Sequence, residues 1–237
     1  MNRTDAMPGG RAVRGTGARG RAIAALVLAA CLGAFAPRGS QTLAFLAEDA
    51  QVVALARVRE RVTPSPPGAS FLLDVEQALK GSVPGGTLVL WIPATEDGIS
   101  LAPGQRAIFF LSEVPDRPVF RDAGATGKGL WRIAGSEAGV VDPSLIGPLR
   151  EILSALGGHH GGRALLGVLV RHAGDNRERV REDAAADLER RCPEGRALDA
   201  PARDRLRALA VKAPKESAYR RSLLRAAGSP ADAGGAR

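Results

Sequence analysis

The spacing of apolar residues along the chain changes near Pro143. Before this point, short apolar runs are separated by turns rich in Gly and Pro, and residues 71–76 alternate with the two-residue period of a half-buried strand. After it, apolar residues recur every three or four positions, which is the spacing of amphipathic helices. The pattern therefore predicts an α+β protein in which a strand-rich half precedes a helical half.

Five strands at short intervals are predicted in the first half, with no helical pattern between them. They are Val52–Val62, Phe71–Glu76, Thr87–Ile92, Arg106–Leu111 and Gly129–Ile133. Strands of this number and spacing are typical of a small antiparallel barrel, which we expect over residues 42–141.

Five helices are predicted in residues 143–228, and three of their ends carry recognisable signals. Asp175 with Glu178 three residues later predicts a capping box. Asp199 predicts another helix start and Gly228 a helix end. The predicted helices are Ser144–Leu156, Arg163–His172, one opened by Asp175, one opened by Asp199, and Glu216–Ala227.

Two of the predicted strands are apolar on both faces, which is unusual for a sheet with one wet face. We expect one face of each strand, Thr87–Ile92 and Arg106–Leu111, to lie in the barrel interior and the other face to be covered by the helical half. Such cover is favourable because burying each large side chain is worth roughly 1.5–3 kcal/mol. The alternative is an exposed aromatic patch for a partner or a sugar. The residues of this binding surface or domain interface are Val89, Trp91, Phe109 and Trp131.

The N-terminal segment has the three-part layout of a secretory signal. Five arginines precede the apolar run Ala22–Ala30, and small residues follow it. Residues 1–36 are therefore predicted to be a signal peptide, and the protein to be exported to the periplasm or cell envelope. The run from Ala22 to Ala36 is shorter than the ~20 residues needed to span a bilayer, so a transmembrane anchor is not predicted.

Two cleavage modes remain open for this segment. Leu28-Ala29-Ala30-Cys31 matches the lipobox of bacterial lipoproteins, in which Cys31 would be diacylated. Ala34-Phe35-Ala36 offers the small-x-small form of ordinary cleavage. Contact with a membrane is predicted only through a lipid on Cys31.

The formal net charge has a different interpretation once this segment is set aside. The whole chain carries a formal net charge of +8, of which residues 1–30 contribute +4 through five Arg and one Asp. The remaining basic residues stand mostly beside acidic ones, as in residues 176–191, a pattern typical of solvated helix faces. Binding to nucleic acid is therefore not predicted.

No residue pattern indicates catalysis, a metal site or a cofactor. With Cys31 lost or lipidated, Cys192 has no disulfide partner. His159 and His160 lie in a glycine loop and are too few for a zinc site, so a flexible linker is expected there. Asp74 and Glu76 are expected to decorate the wet side of the barrel. The glycines of residues 124–129 precede no helix, unlike those of a phosphate loop.

The first half resembles bacterial exported domains with an OB-fold-like barrel, similar in fold to the inhibitory domain of tissue inhibitors of metalloproteinases. The resemblance covers about Leu43 to Val141. Its specific parts are the strand ending Val75-Glu-Gln-Ala-Leu-Lys-Gly81 and the turn Leu101-Ala-Pro-Gly-Gln-Arg106. The bacterial family has no settled activity, and metalloproteinase inhibition does not transfer, because it needs a free N-terminal cysteine amine and disulfides.

The second half is similar to HEAT-type helical repeats. The segment Val180-Arg-Glu-Asp-Ala-Ala-Ala-Asp-Leu188 matches their helix start, and about two repeat pairs fit. Independent solenoids normally need three or more units, so these helices are expected to pack against the barrel.

Together these features predict an OB-like barrel (42–141), a HEAT-like bundle (143–228) and a disordered tail (229–237). The predicted function is a non-catalytic envelope scaffold or adaptor that binds another protein through the concave side of helices 163–227. The alternatives are a carbohydrate- or small-ligand-binding barrel, and an inhibitor of an envelope protease, which is an analogy of fold alone.

Overall fold

A computed structural model describes residues 41–62, 68–96, 98–114, 130–158 and 161–229; within them the strands lie before residue 142, and all α-helices but the first lie after it. The strands are β1 Val52–Val62, β2 Gly68–Lys80, β3 Thr87–Pro93, β4 Arg106–Glu113, β5 Leu130–Ile133 and β6 Val140–Val141. The helices are α1 Leu43–Asp49, α2 Ile146–Gly157, α3 Gly161–His172, α4 Glu178–Arg191, α5 Ala200–Lys212 and α6 Ala218–Ala226. The predicted α+β class is confirmed. The predicted signal peptide with Cys31, the pair His159–His160 and most of the tail lie outside the described residues.

The strand pairings run β1-β2-β3-β5-β4 and return to β1, because β4 pairs with both β5 and β1. β6 adds a short pairing to β4. The prediction of purely antiparallel strands is wrong for one pair, since β3 and β5 run parallel. Because the pairings return to β1 after five strands, which is an odd number, at least one neighbouring pair must share a direction.

β4 is buried on both of its faces. Phe109 and Leu111 lie in one core, which we call the interior core, together with side chains from β1, β2, β3 and β5. Ile108 and Phe110 point the other way and join a second core formed with the helices. The predicted cover of this strand by the helical half is therefore confirmed.

Helix α1 was not foreseen by the strand-rich interpretation of residues 42–141. Thr42 begins it by accepting a hydrogen bond from the backbone N–H of Phe45, and its buried residues pack against α2 and α4. The chain thus starts in the helical core before it enters the sheet. Apart from its cap, this seven-residue helix carries no acidic first turn and no basic last turn, which are the charge signals that mark a helix in sequence.

The predicted helix signals have mixed outcomes. Asp199 caps α5 by accepting from the backbone N–H of Ala202, as expected. Gly228, with φ of 69°, follows the last helix in a left-handed conformation, and its N–H donates to the carbonyl of Arg225. The capping box is wrong, because α4 begins at Glu178 after an N-cap at Arg177. Asp175 is instead bonded to Arg177, whose side chain lowers the pKa of that carboxyl to about 2.

Asp183, a buried carboxylate of α4, holds the start of α1, and a second buried carboxylate, Asp187, follows it four residues later; we name this pair the α4 clasp. Asp183 accepts from the backbone N–H of Leu43 at 3.0 Å and from Nε of Arg179 at 2.7 Å. Arg179 also donates to the carbonyl of Gln41, at 3.1 Å. The first residues of the described chain are therefore tied to a helix 140 positions away.

The two carboxylates of the clasp differ in the hydrogen bonds that they accept. Burial raises the pKa of both, opposed at Asp183 by the hydrogen bond from Arg179 and at Asp187 by the nearby Thr42 hydroxyl. No described donor reaches Asp187 with hydrogen-bond geometry, although Nη2 of Arg190 lies 3.5 Å from its Oδ1. Asp183 is thus the member that carries the bonds to α1.

We predict that Asp183→Ala lowers the free energy of unfolding by about 2 kcal/mol, because the Leu43 N–H and the Arg179 guanidinium lose their acceptor in a buried place. Urea denaturation followed by circular dichroism measures this change. The matched control is Glu182→Ala, one residue earlier and exposed, which should change the value by less than about 0.5 kcal/mol. Equal losses in the two variants would contradict the clasp.

Candidate binding site

The four predicted surface residues do not form one surface. Phe109 is 0% exposed in the interior core, and Trp131 packs against that same core. Trp131 pairs with Leu90 across the parallel strands, so Trp91, the next residue of β3, points to the opposite side of the sheet together with Val89. Val89 is buried, while the two tryptophans are half-buried. The structure therefore removes Phe109 from the predicted surface and separates the two tryptophans.

The two strand carboxylates singled out in the sequence are neutralised by arginines. Asp74 pairs with Arg59, whose Nε donates at 2.9 Å. Glu76 accepts from Nε of Arg106 at 2.7 Å and lies 3.5 Å from Nη2 of Arg57. These are exposed ion pairs across neighbouring strands, and such pairs typically contribute about 0–1 kcal/mol each.

Cys192 is 0% exposed, and burial raises the pKa of its thiol above the ordinary value. A buried, protonated thiol is a poor nucleophile. Within the described ranges, His, Cys, Asp and Glu side chains form no group of three or more suited to holding a metal ion. None of the described helices combines the length and hydropathy required to cross a bilayer.

A groove lies between α3 and the beginning of α5, with a volume of about 420 Å³. Its lining includes apolar side chains from both elements and one charge of each sign: Arg163, Leu166, Gly167, Val170, Leu198 and Asp199. We name it the α3–α5 groove.

Small residues explain why the α3–α5 groove stays open. Gly167 contributes no side chain, and a Cβ built on it would meet nothing within 4 Å. Ala197 and Ala202 line the facing side. The two elements therefore lie side by side without enough side-chain volume between them to fill the gap, and the half-buried Leu166 lines the groove.

A second cavity, of about 370 Å³, lies where α1, β2 and α2 meet. Lys80 lines it, but its ammonium group already donates to the carbonyls of Ala47, Glu48 and Ala50 at 2.6–3.1 Å. This lysine stabilises the C-terminal end of α1, where carbonyls lack helical partners. Because its ammonium group already donates to backbone carbonyls, it offers little to a ligand, and the α3–α5 groove is the better candidate for binding.

His172 forms a buried contact near the end of α3. Its Nε2 lies 3.2 Å from Oε2 of Glu151 on α2, which also accepts from Arg171. Burial lowers the pKa of His172, and the carboxylate of Glu151 opposes that effect only in part. Its Nδ1 is buried with no hydrogen-bond partner in the described part of the chain. The imidazole is therefore neutral at pH 7.

No family model matches this chain, and no curated protein matches it either. The α3–α5 groove and the clasp were both missed by the sequence interpretation. A signal was nevertheless present for the groove, since Gly167 interrupts an otherwise Leu- and Val-rich helix.

We predict that the protein loses stability as the pH falls below about 6.5. The folded state binds the His172 proton less readily than the unfolded state, so stability is fully present above the unfolded pKa and is lost as the pH falls through the folded one. One such group contributes a slope of at most about 1.4 kcal/mol per pH unit. Urea denaturation between pH 7.5 and 5 measures it. His172→Gln should flatten the slope in this range, and an unchanged slope would assign it to other groups.

Proposed function

We propose that this protein is an exported, non-catalytic component of the cell envelope whose helical half binds another protein. The observation that carries the proposal is the α3–α5 groove. Its volume lies in the range of ligand-binding pockets, about 300–1,000 Å³. An apolar floor between charges of opposite sign suits an apolar anchor residue of a partner, held in register by a polar rim.

The architecture that we propose for this scaffold is an OB-like barrel followed by HEAT-like helix pairs. The barrel is supported by the strand pairings that return to β1 and by the enclosed interior core. The helix pairs are supported by their contacts, since α3 neighbours α5 while α4 neighbours α6, as in two stacked layers. In such stacks the surface between neighbouring helices is the usual binding face.

Carbohydrate binding by aromatic residues of the sheet has less support. A sugar-binding platform needs its aromatic rings on one side, but Trp91 and Trp131 lie on opposite sides of the sheet. The helical groove is therefore the stronger basis for a function.

We predict that filling the groove abolishes partner binding. Gly167→Phe places an aromatic ring in the groove, and there is room for its Cβ. The matched control is Gly147→Phe on α2, whose Cβ also meets nothing within 4 Å and which does not line the groove.

Tagged versions of the full chain should be used for cross-linking and pull-down from envelope extracts, with bound proteins identified by mass spectrometry. A protein captured by the wild type and by Gly147→Phe, but lost with Gly167→Phe, supports the proposal. Equal capture by all three versions would place binding elsewhere.

Export is proposed from the basic and apolar segment that precedes the described residues, with Cys31 as the lipid attachment site. We predict that cells producing the protein incorporate labelled palmitate into it, and that globomycin causes the unprocessed form to accumulate. Cys31→Ser should abolish both effects. Processing that is insensitive to globomycin and leaves no label would assign the segment to ordinary signal cleavage.

A further inference from the structure

The positive charge of the helical half is concentrated in its last two helices. Residues 194–225 contain nine Lys and Arg against four Asp and Glu, a net charge of +5. Two of the arginines have acidic neighbours within a few residues, Arg196 with Glu194 and Arg207 with Asp204. Arg225 pairs with Glu189 of α4. Among the described residues the remaining cations form no ion pair, and several of them lie around the turn between α5 and α6.

We name this turn the α5–α6 tip, and it consists of exposed residues. They are Val211, Lys212, Pro214, Lys215, Glu216 and Arg221, so three cations stand against one carboxylate. Val211 is 81% exposed, and the other exposed large hydrophobic residue of the described chain, Phe45, is only 39% exposed. An apolar side chain with no protein cover therefore stands among cations.

The cations of the tip are available for an external anion. Neither Lys212 nor Lys215 forms an ion pair with any residue that the structure describes. Arg221 donates to the backbone carbonyl of Glu216 at 2.6 Å and forms no ion pair with a described residue, although its charge is among those that lower the pKa of Glu189 on α4. By contrast, Arg171, Arg177 and Arg179, at the nearby ends of α3 and α4, are each paired with an acidic side chain.

We propose that the α5–α6 tip binds the surface of a bilayer that contains anionic phospholipids, with the lysines on the headgroups and Val211 entering the interface. Basic residues near such a surface are attracted by its negative potential, and apolar side chains beside them gain by leaving water. A nucleic acid would offer its phosphates to the lysines but no apolar layer to Val211. The combination of both features in one turn is what favours lipid.

The tip lies at the end of the helical half where α4 begins. Tyr219, just beyond the tip, lies under the guanidinium of Arg181 near the start of α4. Arg179, two residues earlier, bonds the carbonyl of Gln41. The tip and the point where the described chain begins are therefore at the same end of the helical half.

The test is binding to phospholipid vesicles. Full chains that all carry Cys31→Ser, so that none is acylated, are sedimented with vesicles of phosphatidylcholine alone or with added phosphatidylglycerol. We expect preferential binding to the anionic vesicles that weakens as salt is raised. Lys212→Gln with Lys215→Gln should weaken it roughly fivefold for each lysine and about 25-fold together. The control, Arg61→Gln with Arg132→Gln, removes two exposed charges from the sheet and should change it less than about twofold.

Insertion of Val211 into the bilayer interface is measured separately, by fluorescence. An environment-sensitive fluorophore on Val211→Cys should shift to the blue with anionic vesicles and not with neutral ones, whereas the same fluorophore on Ala78→Cys, an exposed position of β2, should not shift. The proposal fails if the anionic vesicles are not preferred, if the control charges matter as much as the lysines, or if the Val211 probe stays in water. Binding to a DNA duplex instead, with the same loss on removing the lysines, would assign the tip to nucleic acid.

Discussion

The two-sided burial of β4 is the constraint on which the rest of this structure depends. Phe109 and Leu111 complete the interior core, while Ile108 and Phe110 belong to the core shared with the helices. A strand of this kind cannot leave either face in water, because each large side chain contributes roughly 1.5–3 kcal/mol when buried. The sheet and the helices therefore share one core, in which α1 packs on the outer face of the strand and α2 and α4 pack against α1.

Charged side chains are paired in different ways on the exposed surface and in the helical core. On exposed surfaces, arginines and carboxylates pair within reach of water, as between Arg106 and Glu76, and each such pair contributes little. In the helical core, Asp183 and Asp187 are buried, and backbone and guanidinium donors keep the first of them in place. The two places that we propose for binding lie outside this scheme: a groove kept open by Gly167, and a turn whose lysines form no ion pair with a described residue.

Local pattern predicted most of the elements, and long-range geometry accounts for what it missed. The first strand, Val52–Val62, was predicted at its observed limits because an apolar, β-branched run is bounded by a turn-forming segment. Helix α1 was not predicted because its seven residues span barely two turns, too few to show a helical period in the sequence. Periodicity also carries no information on which strands become neighbours, so the pairing of Leu90 with Trp131 and the resulting separation of the tryptophans could not be foreseen. The groove depends likewise on which small residues two distant helices bring together.

The bond from Leu43 to Asp183 has a consequence for the order in which the molecule is completed. A chain is synthesised from its N-terminus, yet the first turn of α1 finds its acceptor only when residue 183 has emerged. Until then, α1 has neither its partner on α4 nor the burial that a helix of this length needs. The beginning of the fold is therefore among the last parts to be secured. A ribosome that stalls before α4 would leave the apolar face of α1 open to chaperones and proteases.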